Sequence, residues 1–347
     1  MTFQHIIIAT ILLICFVGSL IIKRLNPTKT YPSLSLFALL YASVFFCTMY
    51  GMPSTDIIST YDTWSFYTPF GVALLYLTFF FIKTPTYIRF IITFATISLL
   101  IFCFNYSYPL GFNVPKPVEQ LSLIGLWLFL TYGLKIINVF PTQIYRLANV
   151  FGLGVFILSI IGATPLALGI IGGILCATTF PFGLNKYHQT KELSEIETEA
   201  FGILIGAFTI CGSVEATLSS LLIFLLLFIC ESICALIRTA IKRIPLKQTK
   251  DYTAFGLALS TNCPTLILEH FWTRANLMML VFGCFQAFAP NNYSLLIFCS
   301  LIVLWQQYRI INWQEESYNF KDTTIATISS LKENAQKISE HFNRKDK

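Results

Sequence analysis

The sequence predicts an all-α, polytopic integral membrane protein with about 10–11 membrane-spanning helices. Two observations carry this. Hydrophobic residues make up 55% of the 347 positions and charged residues only 12%, with mean hydropathy +0.69, against about 25% charged residues in a soluble domain. The apolar runs are also continuous rather than alternating. Backbone groups in lipid are satisfied only within helices or closed barrels, and a barrel strand reads as alternation, so the pattern selects helices.

A span needs about 20 mainly apolar residues. Cutting the chain at charges, prolines and glycines gives spans near 6–22, 35–52, 69–82, 87–104, 121–139, 147–163, 165–182, 200–213, 217–237, 275–289 and 294–311. The first run, Ile6 to Ile22, has no basic residue before it and no small-residue cleavage site after it, so it reads as a retained first span. Cations collect in alternate connections: Lys23, Arg24 and Lys29; Lys83 and Arg89; Arg146; Lys186 and Lys191; then Arg238 to Lys250 and Arg274. The other connections hold mainly Asp56, Asp62, Lys116, Glu119 and Glu215. Lys and Arg mark cytoplasmic loops, so the expectation is an N-terminus outside and a C-terminus inside. Residues 1–313 form the membrane domain. The inner loop 238–274 is basic and then partly apolar, which predicts a short interfacial helix.

Residues 314–347 form a polar tail in which Ile328, Leu331, Ala335, Ile338 and Phe342 recur at spacings of three and four. That stripe suits either an amphipathic helix on the membrane surface or a short coiled coil pairing two copies or a paralogue. The ten cysteines contain no C-x-x-C pair and read as small buried side chains. Cys230 and Cys234 share a helix face without a histidine nearby. The cations lie at membrane ends and call for no nucleic-acid partner.

Two carboxylate features stand out. Glu231 is the one acid well inside a predicted span, and an ionisable residue at that depth is a functional candidate. Glu192, Glu195 and Glu199 fall on one helix face, either as a cation site or as acids favoured at a helix start. Glu269, His270 and Arg274 could form a polar cluster in the last inner loop, binding lipid phosphate through Arg274. Asn138, at an inner helix end, reads as a cap, an interhelical hydrogen bond or a metal-site remnant.

Several strings resemble the polyprenyl-phosphate N-acetylhexosamine-1-phosphate transferases. Leu134 to Leu147, LKIINVFPTQIYRL, resembles that family's N-x-x-N-x-x-D-G-x-D-G segment. Glu199 to Ile210, EAFGILIGAFTI, resembles its G-D-x-G-S-x-x-x-G string. Leu227 to Arg238, LFICESICALIR, resembles the span before its long cytoplasmic loop, and Leu266 to Leu277, LILEHFWTRANL, resembles the stretch after its histidine box. The resemblance implies a multi-pass protein of the bacterial cytoplasmic membrane acting on lipid carriers of cell-envelope glycans. Its substrates would be undecaprenyl phosphate and a UDP-sugar, and Mg²⁺ held by aspartates would bridge the diphosphate.

The departures fall on that chemistry. Adjacent aspartates of the family are replaced by Phe79-Phe80-Phe81-Ile82-Lys83. The later aspartate positions are Ile144 and Leu147, and no acid occurs from Gln120 to Lys191. The histidine box reads Asn262-Cys263-Pro264-Thr265. The resemblance therefore implies a retained scaffold without the usual Mg²⁺-dependent transfer. An active transferase would need relocated groups: Glu199, Asn138 or His270 for catalysis, Glu231, Arg274 or Lys83 for substrate, and Glu192, Glu195 and Glu199 for metal. An unrelated transporter or flippase would carry polar groups deep in several spans, where this chain has essentially Glu231.

Overall fold

A computed structural model of the chain describes residues 3–25, 63–76, 79, 84–104, 115–139, 142–183, 193–213, 218–260, 263–289 and 292–312. The expected span 35–52 and the tail 314–347 lie outside the described residues. Within them the protein is all-helical, with no strand. In chain order the helices are α1 (Phe3–Leu25), α2 (Thr63–Tyr76), α3 (Thr86–Cys103), α4 (Lys116–Ile137), α5 (Gln143–Ile160), α6 (Leu166–Gly183), α7 (Glu195–Ser213), α8 (Leu218–Phe224), α9 (Leu226–Ile241), the 3-10 turn η1 (Leu246–Tyr252), α10 (Ala254–Ser260), α11 (Thr265–Gln286) and α12 (Ser294–Ile311).

Among the described residues, helices α3, α4, α5, α6 and α12 are long and apolar enough to cross a membrane, and the bent pair α8 and α9 passes the same test only if the two count as one broken span. The chain is a multi-pass membrane protein that contacts lipid through these helices. Each end has a local cause. Helix α4 opens behind Pro115 with Pro117 in its first turn, and it places Glu119 at its start and Lys135 at its end, each charge complementing the helix dipole. Helix α5 closes on Gly162, whose φ of 75° lies in the left-handed region, while the Ala163 amide donates to the Leu158 carbonyl at 2.8 Å. That turn folds α6 back along α5.

The core is formed where α5 packs on α6 and α4 on α7, with α1 against α6, α2 against α7 and α11 against α5 and α8. Trp127 of α4 is fully buried and donates its indole N–H to the Ile203 carbonyl of α7 at 3.1 Å. The indole fits because Gly206 lies beneath it: a Cβ there would stand 1.9 Å from the ring. Small residues at such crossings let helix backbones approach where no hydrophobic effect drives association. The peripheral helices α3 and α12 instead expose Phe90, Phe94, Leu99, Ile297, Leu301 and Leu304, as expected of surfaces that face acyl chains.

Two expectations are corrected. The run 217–237 is not one straight span but α8 and α9 bent by 67° at Leu225. No proline lies at the break. Phe224 is fully buried in a slot left by Gly154 of α5 and Gly283 of α11, edge-on to Phe151, and this anchor holds the end of α8 in the core. The run expected at 275–289 starts ten residues earlier, at Thr265. The interfacial helix expected in 238–274 corresponds to two short elements, η1 and α10.

Candidate functional site

Helix α7 begins with a capping box. The Glu197 carboxylate accepts from the Ser194 amide at 2.7 Å, and the Ser194 hydroxyl accepts from the Glu197 amide at 3.4 Å. The cap fixes the first turn, so Glu195 and Glu199, four residues apart, point along one face as the spacing predicts.

That face meets cations from two other helices. Arg89, in the first turn of α3, donates through Nε to Glu199 Oε2 at 2.9 Å and through Nη2 to Glu199 Oε1 at 3.2 Å. The same Nη2 reaches Glu195 Oε2 at 3.1 Å and Thr86 Oγ1 at 3.3 Å, and Nη1 donates to the Thr84 carbonyl at 2.6 Å. Lys135, from the last turn of α4, pairs with Glu199 Oε1 and lies 3.4 Å from Glu195 Oε2. The Tyr76 hydroxyl, at the end of α2, donates to Glu199 Oε2. Arg89 and Glu199 are buried, whereas the Glu195 side chain is 65% exposed. Two carboxylates, one guanidinium and one ammonium give a cluster with no net charge, joining four helices.

Glu195 lies ahead of the apolar part of α7. Partial burial opposes its ionisation, but Lys135 and then Arg89 outweigh this and hold its carboxyl below the usual carboxylate range.

A second ion pair ties the neighbouring helices. Arg146 of α5 donates to the Gly183 carbonyl of α6 at 2.9 Å and, on α11, to Thr273 Oγ1 at 2.8 Å and Glu269 Oε2 at 2.7 Å. Glu269 therefore faces inward, while His270 and Arg274 stand on the exposed face of α11, so the three do not form the expected group. Asn138 ends α4 and donates to the Leu193 carbonyl at 3.0 Å, fastening α4 to the segment before α7. Glu231 is fully buried and accepts the Phe255 amide at 3.2 Å at the start of α10; its Oε2 has no hydrogen-bond partner among the described residues. Lys83 and Glu192 lie outside the described residues.

Of the three carboxylates expected to hold metal, the structure brings Glu195 and Glu199 together. Their surroundings do not fit a divalent cation. Mg²⁺ requires oxygen ligands at about 2.0–2.1 Å, and both oxygens of Glu199 are taken by Arg89, Lys135 and Tyr76. Adding a divalent ion would set it beside two fixed positive charges. Among the described residues no three His, Cys, Asp or Glu side chains converge as metal ligands.

Tyr76, Arg89 and Lys135 are the residues that sequence reasoning missed as site members. A signal was present, since a carboxylate pair at the edge of an apolar helix requires cations nearby, but three separate helices supply the partners. No protein-family model matches the chain, and a search of curated proteins finds no match.

Proposed function

We propose that this protein is a diverged member of the polyprenyl-phosphate N-acetylhexosamine-1-phosphate transferase family that keeps a lipid-carrier scaffold and does not carry out Mg²⁺-dependent sugar-1-phosphate transfer. It acts in the bacterial cytoplasmic membrane, spans it about eleven times with the N-terminus outside, and binds undecaprenyl phosphate or an active paralogue. One observation carries the reading: Glu199, the only acid matching the aspartate of the family's G-D-x-G-S string, is neutralised by Arg89 and Lys135 rather than left open to a metal. The contacts of Arg89 and Lys135 with the start of α7, and of Arg146 with the end of α6, support the charge alternation that assigns these ends to one side.

The test is transfer of labelled HexNAc-1-phosphate from UDP-sugar to undecaprenyl phosphate by the purified full chain with Mg²⁺ or Mn²⁺, beside a direct measurement of undecaprenyl phosphate binding. No turnover with lipid still bound is the expected result. Metal-dependent turnover by the wild-type chain would establish relocated ligands and overturn the proposal.

A further inference from the structure

Three features mark the end of α9. Its outward stripe, Ile233, Ile237 and Ile241, leads into Leu246, and Ile241 and Leu246 are 76% and 75% exposed. The segment from 232 to 250 holds Arg238, Lys242, Arg243, Lys247 and Lys250 and no acid. The helix is also bent 67° from α8.

The termination itself carries a further clue. The Arg243 amide donates to the Ala240 carbonyl at 3.1 Å and the Ile244 amide to the Thr239 carbonyl at 3.0 Å, which is the left-handed helix ending that favours glycine. Here the left-handed residue is Arg243, with φ of 53°, and among the described residues it alone combines a positive φ with a side chain. A residue with a Cβ is strained there, and strain kept at one position points to a use for its side chain. Arg243 is exposed. Beside it Lys242 lies 5.0 Å over the Tyr252 ring, and Arg238 Nη1 donates to the Tyr252 carbonyl at 2.9 Å. These contacts fold η1 back against α9 and hold the cations at the edge of the aliphatic stripe.

Exposed aliphatics edged by exposed cations, Lys242 and Arg243 foremost, complement a lipid with an anionic headgroup: the stripe accepts acyl chains and the cations accept the phosphate. We infer that the end of α9 with η1 is a recognition surface for anionic phospholipid headgroups. The surface is independent of the ion cluster at Glu199 and of any transferase ancestry.

The full chain is purified in mixed micelles, and the midpoint of thermal unfolding is followed as phosphatidylglycerol or phosphatidylcholine is added. Phosphatidylglycerol is expected to raise the midpoint at lower concentration than phosphatidylcholine. Each neutralised cation should raise the phosphatidylglycerol concentration for half-maximal effect roughly five-fold, hence roughly twenty-five-fold for Lys242→Gln with Arg243→Gln. If the double variant does not fold, Arg243→Gly decides: its backbone suits glycine, so its midpoint in phosphatidylcholine should equal or exceed that of the wild type while it still needs roughly five-fold more phosphatidylglycerol. An unchanged phosphatidylglycerol requirement in the variant that folds, or equal stabilisation of the wild type by phosphatidylcholine, overturns the inference. So does equal stabilisation by inorganic phosphate, which would place recognition in the free anion.

Discussion

Replacing Glu199 by Gln keeps the shape of the side chain and removes one of the two negative charges facing Arg89 and Lys135. Removing one partner of a buried ion pair costs about 3–5 kcal/mol, because the charge left behind is neither solvated nor neutralised. Arg89 and Glu199 are 6% and 0% exposed at their side chains, but Lys135 is 22% exposed and Glu195 remains to share the excess charge. The lower end, about 3 kcal/mol, is therefore expected, a fall in midpoint on the order of 5–10 °C. The buried thiols of Cys15, Cys211, Cys263 and Cys299 provide the assay, since a thiol-reactive dye in detergent reports their exposure as the bundle opens. Adding Lys135→Met restores the balance of charge and should recover at least half of the loss, so the two changes are strongly non-additive. A Glu199→Gln midpoint within about a degree of wild type, or a double variant that loses the sum of both effects, would refute the neutral-cluster account.

Two further outcomes follow from the same packing. Because the Glu195 carboxyl titrates lower in the folded chain than when unfolded, the unfolded state binds more protons between the two values and stability rises with pH there. Its contribution is complete above the ordinary carboxylate range and is lost as pH falls through the folded value, so the midpoint of the wild type should drop more steeply below roughly pH 5 than that of Glu195→Gln; parallel curves would dismiss the assignment. At the α4–α7 crossing, Gly206→Ala forces a Cβ against Trp127 and should destabilise by about 1–3 kcal/mol. Gly125→Ala in α4, where a Cβ meets open space, should be neutral or stabilise by about 0.5–1 kcal/mol; thermal midpoints that fail to separate the two would reject that packing.

Much of the helical frame was legible because continuous apolar runs in lipid leave the backbone no alternative. The run at 294–311 coincides with α12, and 165–182 is within a residue of α6. The bend at Leu225 was not legible, since α8 and α9 are both apolar and no proline marks the break. Its cause is Phe224 held by Gly154 and Gly283, contacts made about sixty to seventy residues away along the chain. The early start of α11 was hidden for a related reason: Glu269 and Arg274 make residues 265–274 read as a loop, yet the Glu269 charge is met by Arg146 of α5. At the site, the shared face of Glu195 and Glu199 could be read from their four-residue spacing. Which cations met it could not, because Arg89 and Lys135 are 46 positions apart and nothing local links either to α7.

Charge accounting at that face also decides between an open and a closed site. A carboxylate pair awaiting a divalent ion carries two uncompensated negative charges at a membrane edge, which the ion or water must relieve. Glu195 and Glu199 are relieved instead by Arg89 and Lys135: Nε and Nη2 of the guanidinium meet the carboxylates, and Nη1 is held by the Thr84 carbonyl. A metal could enter only if both cations swung away, which would break the contacts of Arg89 with Thr84 and Glu199 as well as the join between α3, α4 and α7. The cluster therefore ties α3, α4 and α7 together at the start of α7 and leaves no open coordination sphere at Glu199.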